Sequence, residues 1–395
     1  MDPVVYYLTT LVAFSFLILK KKGKILIPDL SLPLLFFILS FGFSVFYHSP
    51  FFPIAKTFGA IYHLYWWING FILLIILRNI NVSFEKEVYK LYFFLFSIAL
   101  VIVLGSVSLF LAGIERIEMQ TLVAKYIPGW GLLATAAGTD VFTMFRVDKM
   151  VIELPRVYFM AHPLVFANFL ILVCPILLGI SYLKKTKSSR VFLLFFFVIS
   201  LFLTLSRVAI FSVIAISILG FYLWIIENFC KFSRIRRIIV TTFFFVFLPL
   251  VIYFSGFLRV LFFKLRINSA ISRLEQYKKA LELFIAHPFI GTGLFYDDPT
   301  IRLKIGTHST YMEILMITGL LGFIFFIMFL FLIIGKWWIR YRESVNSRDK
   351  NFWRFYGFGM ISLFFSITGS LMDFYPFFLV IFFVALGFLM KSKFE

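Results

Sequence analysis

"VFLLFFFVISLFLTLSRVAIFSVIAISILGFYLWII", residues 191–226, decides what kind of chain this is. Its single charge is Arg207. A helix crosses roughly 30 Å of hydrocarbon with about 20 residues, so this run is too long for one comfortable crossing and suits two. "LSRVA", residues 205–209, supplies the turn between them, with Ser206 and Arg207 at its centre.

The rest of the chain has the same character. Hydrophobic residues make up 62% and charged residues 14%, with 58 phenylalanines, which excludes an ordinary soluble domain. Apolar segments fall near 3–19, 29–47, 58–77, 91–112, 161–183, 191–206, 208–226, 238–258, 310–334, 355–373 and 375–390, giving about 11 spans. A transmembrane β-barrel would instead repeat alternating segments of about 10 residues along the whole chain. We therefore expect an all-α, polytopic integral membrane protein of about 11–12 helices, a single membrane domain over residues 1–395. The first span lacks a basic leader and a small-residue cleavage site, and reads as a retained helix.

The net charge of +19 is carried by short clusters between the spans: "KKKGK" at 20–24, "KKTKSSR" at 184–190, "KFSRIRR" at 231–237 and "KWWIRYRESVNSRDK" at 336–350. Clusters in alternate connections are orientation signals, not a nucleic-acid surface, so no nucleic-acid partner is expected. They place those connections and the tail "KSKFE" in the cytoplasm, and the N-terminus outside. Two long connections, 113–160 and 259–309, then face the exterior or periplasm, and loops of that length on a compact scaffold are where function is expected. Cys174 and Cys230 fall in or beside spans and imply neither a disulfide framework nor a zinc site.

Polar residues at the outer boundary are the candidates for chemistry. Arg207 would cost a few kcal/mol within the bilayer unless partnered or hydrated, and snorkelling at a helix end is the bland alternative. The second long connection holds its own helix, "SAISRLEQYKKALELFIA" at 269–286. Ile271, Leu274, Tyr277, Leu281 and Phe284 form an apolar stripe, with Glu275–Lys279 and Lys278–Glu282 on the solvated face. Arg273 lies beside the stripe and is expected to point inward. Pro288 and the glycines of "HPFIGTG", 287–293, end that helix; His287 reads as a capping or packing residue.

His308 and Ser309 stand immediately before the apolar run at 310–334, with Tyr311 within the first turn. In the first long connection, Arg156 approaches the membrane, followed by His162 and Asn168, of which Asn168 reads as helix packing. "IERIEMQTLVAKYIPGWG", beginning at 114, reads as an interfacial amphipathic stretch with Trp130 near the headgroups. The adjacent pair Asp297-Asp298 is a weak metal candidate, better explained as an exposed turn, and no metal or cofactor is expected. Several arginines can clamp a diphosphate, and an imidazole can take a proton from a hydroxyl. Those are the parts for moving a group from a lipid diphosphate.

The same residues resemble the O-antigen ligase and O-antigen polymerase superfamily, bacterial membrane glycosyltransferases of the GT-C type. Similarity is concentrated at about 190–325. His308, Ser309, the residues 310–318, then Gly319 and Gly322 match the family's histidine motif. "LTLSRVAIF" is similar to its Ser-Arg segment, and "SRLEQYKKALELFIAHPFIGTG" to its arginine loop entering a His-Pro…Gly-x-Gly turn. Tyr277 stands where the ligase branch often has leucine.

The resemblance implies a GT-C-like fold at the bacterial inner membrane with a periplasmic site. It also implies a glycan donor on undecaprenyl diphosphate, an acceptor hydroxyl on lipid A–core or another glycan, and inverting transfer without a metal. On this chain Arg207 and Arg273 would bind the diphosphate, with Arg156 less closely matched, and His308 would activate the acceptor. Ser206, Ser309 and Tyr311 would support the site, and Gly319 and Gly322 would let a neighbouring helix approach the one carrying His308. A polymerase extending lipid-linked repeats is the close alternative. A transporter or flippase would need polar residues across several spans, which are apolar at their centres; a scaffold would leave the motifs unexplained.

Overall fold

The computed structural model describes residues 25–52, 54–79, 84–112, 117–120, 135–147, 150–159, 163–183, 187–204, 206–228, 267–293, 309–369 and 376–390. The expected spans at 3–19 and 238–258, together with Cys230, His162, Trp130, Asp297, Asp298 and His308, lie outside the described residues.

The protein is an all-α polytopic membrane protein. Its described helices are α1 (Ser31–His48), α2 (Ile54–Asn79), α3 (Phe84–Leu111), α4 (Pro163–Leu183), α5 (Lys187–Leu203), α6 (Arg207–Asn228), α7 (Ile267–Ala286), α8 (Thr310–Glu343), α9 (Ser347–Ser366) and α10 (Pro376–Met390). Among the described residues five stretches are long and apolar enough to cross a membrane: Ser31–Phe51, Thr57–Asn79, Tyr89–Ser108, Leu164–Leu183 and Thr310–Glu343. Shorter apolar helices cover Ser188–Leu203, Val208–Ile218 and Phe378–Gly387.

α4 is the central helix. Phe166, Ala167, Leu170, Ile171, Leu172, Val173, Cys174 and Ile176 are all fully buried, so apolar side chains surround it on every side. It packs on α9, α5 and α3. α5 instead turns Val191, Phe195, Val198 and Phe202 outward, as a helix bordering lipid does.

Helix directions alternate, and polar ties at the two ends show it. At one end the Arg78 guanidinium donates to the Met390 carbonyl, and Lys336 Nζ pairs with Asp29 Oδ2 at 2.7 Å. Asn79 Nδ2 donates to the Leu26 carbonyl, and Trp337 Nε1 to the Trp353 carbonyl. Arg190 stacks over the Tyr182 ring at 4.0 Å. This is the end of the basic connections. The Asp29 carboxyl is held below its ordinary value by its hydrogen bond to Lys336.

At the other end the chain forms a three-stranded antiparallel sheet in the order β1 (Ile117–Gln120), β2 (Thr135–Val147) and β3 (Met150–Phe159). Part of the stretch read as an interfacial amphipathic segment is therefore strand β1. It pairs there with β2, Ile117 opposite Thr139 and Met119 opposite Ala137, so its backbone groups are satisfied by a neighbouring strand. Pro155 sits in β3, an edge strand, where a missing amide donor is tolerated. β3 lies over the ends of α3, α4 and α5.

Candidate active site

Ser309 begins the site because it begins α8. Its backbone is extended (φ −153°, ψ 115°), and its hydroxyl accepts from the Met312 amide at 3.4 Å, satisfying one of the free donors of the first turn. Ser309 is 3% exposed and Thr310 fully buried, so this helix start is enclosed by protein. His308 is bonded directly to Ser309 and lies outside the described residues.

The end of α9 holds that start in place. Thr310 N donates to the Ile367 carbonyl at 3.0 Å, and Tyr311 Oη to the Phe364 carbonyl at 2.9 Å. Tyr311 is thus a tie between helices, with its hydroxyl already engaged. Ser366 Oγ donates to Asn168 Oδ1 of α4 at 2.6 Å, so Asn168 is the packing residue its sequence context suggested.

The same turn reaches α6. A Cβ placed on Gly369 would stand 2.7 Å from Val208 Cγ2, next to Arg207. Arg207 is the first residue of α6, and Ser206 precedes it with its carbonyl accepting from Ile210 N at 3.0 Å. Ser206 Oγ is buried without a hydrogen-bond partner. The start of α6 therefore sets the buried Ser206 hydroxyl beside a helix N-terminus, whose first amides have no partner within the helix. Such an arrangement attracts an anion.

Arg156 occupies β3, at the register position that pairs with Asp140 of β2. Its strand contacts α5, which runs into the Ser206-Arg207 turn. Arg156, Arg207 and Ser309 are thus carried by elements gathered at one end of the bundle.

Arg273 sits on α7 half-buried, with Nε enclosed and without a partner. The inward direction read from sequence is what the helix adopts, but the face around it differs. Ile271, Leu274 and Leu281 of the expected apolar stripe are exposed at 49%, 70% and 46%, while Gln276 and Ala280 form the buried side. The stripe failed as a guide because near a membrane an exposed apolar face is not excluded by water. Burial pushes the Tyr277 phenol above its ordinary value, and the neighbouring Arg273 charge opposes that shift.

The turn after α7 explains the glycines of the motif. Gly319 breaks α8, with φ 65° and ψ −167°. The carbonyls freed by this break are taken by the 287–293 turn: Thr292 N donates to Met316 O at 2.9 Å and Gly293 N to Ile317 O at 2.8 Å. Leu320 N in turn donates to the Pro288 carbonyl at 2.8 Å. Ser44 Oγ of α1 adds a second donor to Ile317 O at 2.8 Å. His48 Nε2 donates to the Gly291 carbonyl at 2.8 Å, with its ring edge-on to His287 at 5.2 Å. Irregular backbone is tolerated within a membrane protein when its polar groups are satisfied internally, as here.

A close approach at Gly319 was expected from a helix; it comes from this turn. Gly322 is also differently placed, since its nearest neighbour is the Thr318 side chain of its own helix.

Two residues escaped the sequence reading. Glu313 is 1% exposed in the first turn of α8, and was legible as the one acidic residue in the apolar run at 310–334. Gln276 is fully buried on α7, and no sequence signal separates it from the polar residues around it.

No curated protein matches the chain. A family model does, and it covers α5, α6, α7 and the first half of α8, including Arg207, Arg273, His308, Gly319 and Gly322 but not Arg156. Residues 191–327 are similar to the family model described as O-antigen ligase.

Proposed function

We propose that this protein is an O-antigen ligase, moving a glycan from undecaprenyl diphosphate to a sugar hydroxyl of lipid A–core at the periplasmic face of the bacterial inner membrane. The observation that carries this reading is the turn after α9. It touches Thr310, two residues along the chain from the proposed base His308, and Val208, next to the proposed anion-binding Arg207, which supports a shared site.

Arg207, Ser206 and the open first turn of α6 hold the diphosphate, with Arg273 and Arg156 neutralising the remaining charge. His308 accepts the proton of the acceptor hydroxyl as its oxygen attacks the anomeric carbon. The bond from that carbon to the phosphate oxygen breaks, and undecaprenyl diphosphate departs with the electron pair, inverting the centre. The arginines stabilise the charge that grows on the leaving diphosphate, so the chemistry needs no metal. A site at the outer boundary suits both halves of the donor, because the polyprenyl tail stays in lipid while the glycan remains in water.

The test is reconstitution with an undecaprenyl diphosphate-linked glycan and lipid A–core. Glycosylated lipid A–core is the expected product. Longer lipid-linked chains, formed when lipid-linked repeats are the acceptor, would instead identify a polymerase. Movement of donor between leaflets without a new glycosidic bond would identify a transporter.

A further inference from the structure

We propose that Gln276 reads the sugar attached to the donor diphosphate, forming a glycan subsite beside Arg273 on α7. The inference rests on the diphosphate role of Arg273 and adds to it the recognition of the first sugar.

Gln276 has no exposed surface, yet neither its Oε1 nor its Nε2 has a hydrogen-bond partner. A buried amide left unmatched is costly, so native proteins rarely keep one without a use. Nε of Arg273 is enclosed and unpartnered as well. Residues three apart on a helix are neighbours, and Tyr277, four from Arg273, completes the row. One face of α7 thus presents a guanidinium, a carboxamide and a phenol, two of them with unused hydrogen-bonding atoms.

The chemistry of this row is divided. A diphosphate offers only acceptors, which suits Arg273 but leaves Oε1 of Gln276 without use. A sugar ring offers adjacent hydroxyls that each donate and accept, and a carboxamide presents one acceptor beside two donors. In a glycosyl diphosphate the ring follows directly on the phosphate, so the group after the anion falls where the amide follows the guanidinium. Gln276 is fully covered, and glycan binding has to displace that cover.

The full-length protein in detergent is titrated with two probes: undecaprenyl diphosphate, and the same lipid carrying glucose, galactose or N-acetylglucosamine. The wild type is expected to bind at least one sugar-bearing probe about tenfold more tightly than the bare lipid, the ratio a single well-placed polar pair supports. Gln276→Leu should abolish that preference and leave the affinity for the bare lipid within about twofold. Gln276→Asn, which keeps the amide on a shorter stem, serves if the leucine variant does not fold, and should reduce the preference.

A wild type without preference, or a folded Gln276→Leu that keeps it, overturns the proposal. Equal weakening toward both probes also overturns it, since Gln276 would then only position Arg273. Arg273→Ala separates the underlying reading: it should weaken both probes alike. Unchanged binding of the bare lipid by Arg273→Ala would sink the diphosphate role, whatever Gln276 does.

Discussion

The amide of Thr310 donates to the carbonyl of Ile367 at 3.0 Å, and this bond ties the start of the helix that follows His308 to the end of α9. A backbone bond resists conservative substitution, so its surroundings have to be tested through side chains. Tyr311→Phe removes the companion bond to the Phe364 carbonyl and leaves the ring in place. We expect a loss of about 1 kcal/mol in stability, with glycan transfer retained. If Tyr311 instead touched substrate, transfer would collapse while the melting temperature in detergent stayed constant.

Asn168 and Ser366 brace that same end from α4. Asn168→Ala removes the acceptor of the buried Ser366 hydroxyl, at an expected cost of about 1 kcal/mol. Restoring compactness with Ser366→Ala in the same chain should recover part of the loss, and a double-mutant cycle of melting temperatures reads the coupling. Simple additivity would mean that the bond contributes nothing.

Gly319 holds a conformation open in practice only to glycine, and a Cβ there would stand 2.5 Å from the Phe289 backbone. Gly319→Ala is therefore expected to cost about 1–3 kcal/mol from backbone strain alone. The collision with the turn adds to that cost and should cut the yield of folded protein. Gly335, near the basic end of α8, meets nothing within 4 Å, and Gly335→Ala should be harmless or stabilising. Equal tolerance at both positions would contradict the break in α8.

His48→Ala takes the donor from the Gly291 carbonyl and the ring from beside His287. The expected loss is about 1 kcal/mol, localised to the 287–293 turn. Hydrogen exchange should show faster exchange at the Thr292 and Gly293 amides and little change at the basic end of the bundle. Uniform acceleration everywhere would point to global rather than local loosening.

Much of the architecture was written in the hydrophobic pattern. The runs read at 29–47, 58–77, 91–112 and 161–183 reappear as α1 to α4, because a crossing helix needs an unbroken apolar length that little else in a chain supplies. Ser206-Arg207 likewise marks the turn between α5 and α6. The sheet was harder to see, since β1 is four residues long and its partner β2 begins at Thr135, across residues that carry no strand pattern.

The site was legible residue by residue but not in its supports. Ile367 holds the α8 start through a backbone hydrogen bond, which leaves no trace in residue type, while Gly369 packs on the Val208 side chain at the start of α6. Gly319 shows the opposite case. Its spacing from His308 was visible, while its use as a break repaired by Thr292 and Gly293 required the fold.

The joint role of Arg207 and His308 is tested most directly by transfer from undecaprenyl diphosphate-linked glycan to lipid A–core with purified wild type, Arg207→Ala and His308→Ala. Losing an anion-stabilising or proton-accepting group should lower the rate by about 100-fold or more in each variant. Both variants should keep the wild-type melting temperature. Transfer at the wild-type rate by a folded His308→Ala protein would contradict the account.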